Sequence, residues 1–209
     1  DSVFSFAAND SYLMDVLHRQ GPGAARWEIL RSPPPSGIVF WYRQSPQPLL
    51  PLNGATVLGW MQDPPNTLPG MAKVGLDPDG RLISLTIVPG ERAGPGTVPA
   101  EPDWKPLLSA TGVDAKTLAP AEPEWAPPVY ADRRAAWTAS WPGRPEVPLR
   151  IEAAAAGGHP VSLRIVEPWT RPAEEPAPPG GFWSHAAQLL NTLIFLGVVI
   201  AAGIVAVRN

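Results

Sequence analysis

Residues 71–88 read MAKVGLDPDGRLISLTIV. Apolar and β-branched runs flank Asp77-Pro78-Asp79-Gly80, where proline presets a turn, aspartate bonds its own backbone and glycine supplies positive φ. The segment predicts a β-hairpin. The acidic turn lacks the further oxygen ligands of a calcium loop, so its carboxylates read as turn chemistry.

Upstream, Gly37–Gln44 (GIVFWYRQ) is β-branched and aromatic and lies between Pro33-Pro34-Pro35 and Pro46, which predicts a core strand. Its alternation puts Tyr42 and Gln44 on one face and Arg43 on the other, where an inward arginine needs a carboxylate partner. Ala55–Met61 is a second strand candidate. SYLMDVLHR from Ser11 predicts a short helix with Leu13, Val16 and Leu17 on one face, capped within Asn9-Asp10-Ser11 and ended by Gly21-Pro22-Gly23.

Downstream the same order returns. Asp103–Ala110 (DWKPLLSA) predicts a short helix capped by Asp103, with Pro106 in its first turn and Gly112 after its end. RRAAWTASW from Arg133 alternates Ala135, Trp137 and Ala139 as a strand does. VPLRIEAAA and HPVSLRIVE flank Gly157-Gly158 as a second hairpin. The closing phrases RLISLTIVPG and VSLRIVEPW are alike, so the expectation is two duplicated helix-strand-hairpin lobes, 1–92 and 103–170, joined by a Pro/Gly linker at 93–102. The 29 prolines forbid long helices over residues 21–180, so the fold class is α+β, mostly antiparallel β with short helices.

The C-terminal end differs. Residues 171–183 form a Pro-rich, semi-extended stalk. A transmembrane helix is predicted over 186–207, because Leu189–Val207 holds no charge and only Asn191 and Thr192 as polar side chains. At about 1.5 Å per residue it spans roughly 28 Å, and its twelve Leu, Ile, Phe and Val residues contribute about −4 to −7 kcal/mol to insertion. Phe182 and Trp183 suit one interface and Arg208 the cytoplasmic one, which places residues 1–183 outside. The lipid bilayer is thus one expected partner. Asp1 opens the chain without a signal peptide, so the sequence reads as a piece of a longer protein.

Composition narrows the chemistry. With 16 Lys+Arg against 19 Asp+Glu there is no basic field for nucleic acid, and without cysteine there are no disulfides, thiolate metal sites or thiol nucleophiles. His18, His159 and His185 lack metal-ligand spacing. No nucleophile elbow, Walker loop, dinucleotide fingerprint or zinc-protease motif occurs. Glu122 with Glu124 and Glu174-Glu175 sit in Pro-rich segments as solvated charges rather than in shaped acid/base sites. No catalytic residue, cofactor or metal is expected. Nine tryptophans serve either packing or a ligand face: Trp41 and Trp137 read as core, while Trp104, Trp125 and Trp169 neighbour prolines.

FWYRQSPQPLLP from Phe40, PGMAKVGLDPDGRLISLTIVP from Pro69 and the long phrase from Pro127 to Pro172 together resemble the extracytoplasmic region that follows the kinase domain in bacterial membrane-bound serine/threonine protein kinases. The opening DSVFSFAANDSYL fits the helical entry to that region. The resemblance implies a bacterial inner-membrane protein with a sensor or partner-binding domain outside. The kinase motifs themselves are absent from this chain, so no catalytic residue carries over. The expected role is a non-catalytic extracytoplasmic sensor or interaction domain with an unidentified ligand or protein partner. The alternative is a structural envelope ectodomain that assembles without sensing. A Trp-lined pocket would favour sensing, and an open strand edge or flat apolar patch would favour assembly.

Overall fold

A computed structural model describes residues 1–20, 23, 25–31, 34–52, 62–90, 101–170, 190 and 192–197. The chain divides into one unit over Asp1–Thr170 and another over Arg171–Asn209.

The first unit is built on one antiparallel sheet. Its strands are β1 (Ser2–Ala8), β2 (Ile38–Gln44), β3 (Ala72–Leu76), β4 (Leu82–Ile87), β5 (Ala119–Ala121), β6 (Arg133–Trp141), β7 (Arg144–Ala156) and β8 (His159–Val166). Helices α1 (Asp10–Gln20) and α2 (Ala25–Arg31) lie between β1 and β2, and α3 (Lys105–Ala110) precedes β5. The described residues thus form an α+β fold with a dominant antiparallel sheet and short helices.

The strand order is β1-β2-β3-β4-β8-β7-β6-β5. Among the described residues each half lays down four strands in antiparallel succession, and the halves meet at their last strands, with Leu85 opposite Leu163. The two expected lobes therefore share one sheet. They also share one core, because Leu82 of β4 packs with Leu107, Val113, Trp141, Leu149, Ile151, Leu163 and Ile165. The helices break the likeness between halves: two interrupt the first meander, and one precedes the second. Most of the 93–102 linker and all of the 171–183 stalk lie outside the described residues, as does the expected strand at 55–61.

The two hairpins sit where their turn residues put them. Asp77 is buried; its Oδ1 accepts the N–H groups of Asp79 and Arg81 at 2.9 Å each, and its Oδ2 accepts from Arg81 Nη1 at 3.1 Å. Gly80 completes the turn at φ +81°. Gly157 and Gly158, at φ +57° and +80°, turn β7 into β8. Gly112 stops the segment after α3 at φ +70°, and a Cβ there would come within 2.7 Å of the Arg81 side chain.

Two local expectations need correction. Residues 2–8 form a strand rather than a helical entry, because their neutral backbone pairs in register with β2 from Ser2↔Gln44 to Ala8↔Ile38. Helix α1 buries Tyr12 and Val16, four residues apart, while Leu17 is exposed, so the core stripe is rotated toward Tyr12. In β6 the alternating Ala135, Trp137 and Ala139 lie opposite the core residues Ala153, Ile151 and Leu149 as expected, with half-buried Trp137 packed on that core and edge-on to Trp104 at 5.9 Å.

In the second unit Leu190 and residues 192–197 are helical, with Leu193, Ile194, Phe195 and Leu196 exposed. Among the described residues no helix is long and apolar enough to cross a membrane. Most of the expected span at 186–207 falls outside them.

Candidate functional site

The register sorts side chains onto two faces. One cross-strand row reads Phe4, Tyr42, Val74, Leu85, Leu163, Ala153 and Ala135. Around Leu163 it is the floor of the core. Toward β1 its cover thins, since Tyr42 is half-buried and Phe4 is 66% exposed. Phe6, also 66% exposed, and half-buried Phe40 stand in the next row on that face, and the Phe40 ring lies 5.9 Å from Phe4 and 5.4 Å from Phe6. Ile38, on the same face beside Ala8, is exposed as well. The apolar row of the core thus runs out to solvent along an aromatic patch.

That patch lies on an edge strand. Asp1 and Ser45 exchange backbone bonds of 2.8 and 2.9 Å, and Asn9 N–H donates to Gly37 O at 2.9 Å. Bonded pairs alternate along an antiparallel ladder, so Val3, Ser5 and Ala7 also point their peptide groups toward β2. Phe4, Phe6 and Ala8 therefore direct N–H and C=O away from the sheet. Ser2 N–H is taken by Asp1 Oδ1 at 2.9 Å. No other described strand lies beyond β1. The opposite edge, β5, is three residues long with Pro120 at its centre, a form that resists further pairing. The seven residues of β1 carry neither charge nor proline.

The other face is polar at the sheet centre. Glu152, buried, accepts the backbone N–H of Glu124 at 3.1 Å and the Nε–H of Arg150, whose Nη2 reaches Glu122 O. These bonds strap the 122–128 loop across the sheet and set Trp125 over the Arg164 guanidinium at 5.5 Å. The crevice beneath, lined by Trp125, Pro127, Arg134, Glu152, Ser162 and Arg164, holds ≈ 20 Å³, about the room of one water molecule. Glu122 and Glu124, expected as solvated charges, are exposed side chains whose backbone anchors the loop. Arg43 is the inward residue of β2, 1% exposed, and donates from Nη2 to Asn66 Oδ1 at 2.7 Å and to Pro64 O. Burial lowers its pKa, and the nearby Asp63 carboxylate acts in the opposite direction. Lys73, opposite Arg43 in the ladder, is also lowered, first by burial and then by the Arg43 charge.

A third arrangement closes the end of β8. Glu167 Oε1 accepts from Trp141 Nε1 at 2.7 Å and Oε2 from Trp169 Nε1 at 3.0 Å. The Trp169 ring packs 4.9 Å from Tyr12 of α1, whose hydroxyl accepts from Arg144 Nη1 at 3.2 Å. Burial pushes the Glu167 carboxyl up to about 7 despite the two indole donors, which favour its ionised form.

The tryptophans flagged in the sequence thus have separate tasks. Trp41 is core, Trp104 and Trp137 pack on each other, Trp125 covers Arg164, and Trp169 joins Trp141 on Glu167. His18 and His159 are exposed, and His185 with Glu174-Glu175 lies outside the described residues. Among the described residues no group of three or more His, Asp or Glu could hold a metal ion. The aromatic edge and the Glu167 carboxylate were missed in the sequence. Alternating Phe4-Ser5-Phe6 was the available signal for the first.

No family model, curated protein or solved structure matches the chain.

Proposed function

We propose that this chain is the extracytoplasmic part of a membrane-anchored signalling protein of the serine/threonine-kinase type, and that it works without catalysis, by associating with protein through the β1 edge. The observation that carries the association reading is the open peptide edge at Phe4, Phe6 and Ala8 beside an exposed aromatic patch. Such an edge accepts an added strand, with main-chain bonds giving affinity and the Phe face giving selectivity. A small-ligand pocket has weaker support: the Trp125 crevice holds only about one water molecule, and the larger hollow of ≈ 590 Å³ beside Asp1, Ser2, Tyr42, Gln44 and Pro46 is open and mainly polar rather than an enclosed apolar pocket. The anchoring part of the proposal rests on the charge-free run Leu189–Val207, and the kinase context rests on the resemblance of the phrases from Phe40, Pro69 and Pro127.

Topology and association are tested together in cells. A reporter fused after Asn209 should be cytoplasmic while protease added outside cuts near Pro176; a stalk protected from outside protease removes the extracytoplasmic reading. A photo-crosslinking amino acid replacing Phe6 should give a protein adduct, whereas one replacing Glu146, exposed on β7, should not. No adduct from position 6 overturns association through β1.

A further inference from the structure

We infer that the strand received by the β1 edge is β1 of a second copy of this chain, paired antiparallel about a two-fold axis at Ser5. This rests on the association reading above and names its partner.

The parity of β1 selects the register. Only Ser2, Phe4, Phe6 and Ala8 present peptide groups outward, so a partner strand of the same kind must oppose even positions to even positions. Pairing centred on Ser5 matches Phe4 with Phe6 of the second copy and Ser2 with its Ala8, where Ser2 takes part through its carbonyl because Asp1 Oδ1 holds its N–H. A two-fold normal to the sheet keeps each side chain on its own face. The rows ending in Phe4 and Phe6 therefore continue into Phe6 and Phe4 of the second copy, and four exposed rings cover one another at the seam. Cross-strand aromatic pairs of this kind are favourable.

Charge agrees with a second copy. Ser2–Ala8 is neutral, and in this register Asp1 falls opposite Asn9 rather than opposite another acid. The sheet of one copy would run into that of the other across the seam, with the Pro-bearing β5 strands at the outer ends. The seam is narrow, so a shared membrane, which raises the effective concentration of two anchored copies, is where the pairing is strongest.

The cysteine-free chain permits a clean test. At the axis Ser5 meets Ser5 of the second copy as a non-bonded pair with Cα atoms about 4.5 Å apart, within disulfide reach. Ser5→Cys in the full chain, oxidised in membranes, should give about tenfold more disulfide dimer than Val3→Cys or Ala7→Cys alone, which lie roughly 13 Å from their own copies. Val3→Cys mixed with Ala7→Cys should again form dimer, because those two positions are opposite. Adding Phe4→Lys, an exposed change, to the Ser5→Cys chain should abolish its dimer. Equal yields from positions 3, 5 and 7, or no dimer at any of them, overturns the pairing. If Phe6 still crosslinks to a different protein, the association reading survives the loss of self-pairing; if it crosslinks to nothing, both fall.

Discussion

At the residue scale, burial of Glu167 couples the fold to pH. Its carboxyl is raised from the usual 4.5 to about 7, so between those values the folded chain holds a proton that the unfolded chain has released. Stability from this group is present at low pH and is lost as pH rises through about 7, with an upper bound of about 3 kcal/mol. Glu167→Gln should flatten the slope of thermal stability between pH 5 and 8 and raise the melting temperature at pH 8; an unchanged slope contradicts this assignment. Asp77 makes a separate prediction. Asp77→Ala removes the acceptor for two backbone N–H groups and the Arg81 guanidinium, and should cost about 2–3 kcal/mol by chemical denaturation. The turn role of Asp77 could be read from Asp-Pro-Asp-Gly, because its partners lie within four residues. The Glu167 site could not, since Trp141 comes from a strand 26 residues away and only the fold brings it there.

At the element scale, legibility follows the same division. The hairpins β3–β4 and β7–β8 were visible because glycine and aspartate fix the turns and the flanking strands alternate. Strand β1 was hidden. It has no turn residues before it, and the resemblance of DSVFSFAANDSYL to a helical entry points away from a strand. The Phe4-Ser5-Phe6 alternation is its one local signal, and its pairing with β2, thirty to forty-two residues away, is set by the fold. The same contrast explains the two edges: β5 is blunted by shortness and Pro120, and β1 is left bare. Phe4→Lys should therefore reduce association of the full chain in detergent by about an order of magnitude while leaving the monomer's melting within about 0.5 kcal/mol, as for an exposed position. A large loss of fold stability instead would mean that Phe4 belongs to the core.

At the scale of the whole molecule, the two halves follow the same strand succession and close on the like phrases RLISLTIVPG and VSLRIVEPW, yet they share one sheet and one apolar core. Their junction, β4 against β8, could not be foreseen, because it joins the last strand of each half over a separation of nearly eighty residues. The junction leaves β1 and β5 at the rims, so the exposure of the aromatic edge is a consequence of the topology. The mixed face has a matching logic: loops supply Arg43 with the Asn66 acceptor, Glu152 with the Glu124 N–H donor and Arg164 with the cover of Trp125, and the opposite face is left apolar from the core to β1.

Whether β1 is an association edge used by a second copy can be read from residue-resolved amide exchange of the full chain in detergent at high and low protein concentration. The Phe4, Phe6 and Ala8 amides should be protected at high concentration and exchange quickly on dilution, while Val3, Ser5 and Ala7, bonded to β2 in either state, do not change. Equal exchange of the even-numbered amides at both concentrations would rule the pairing out.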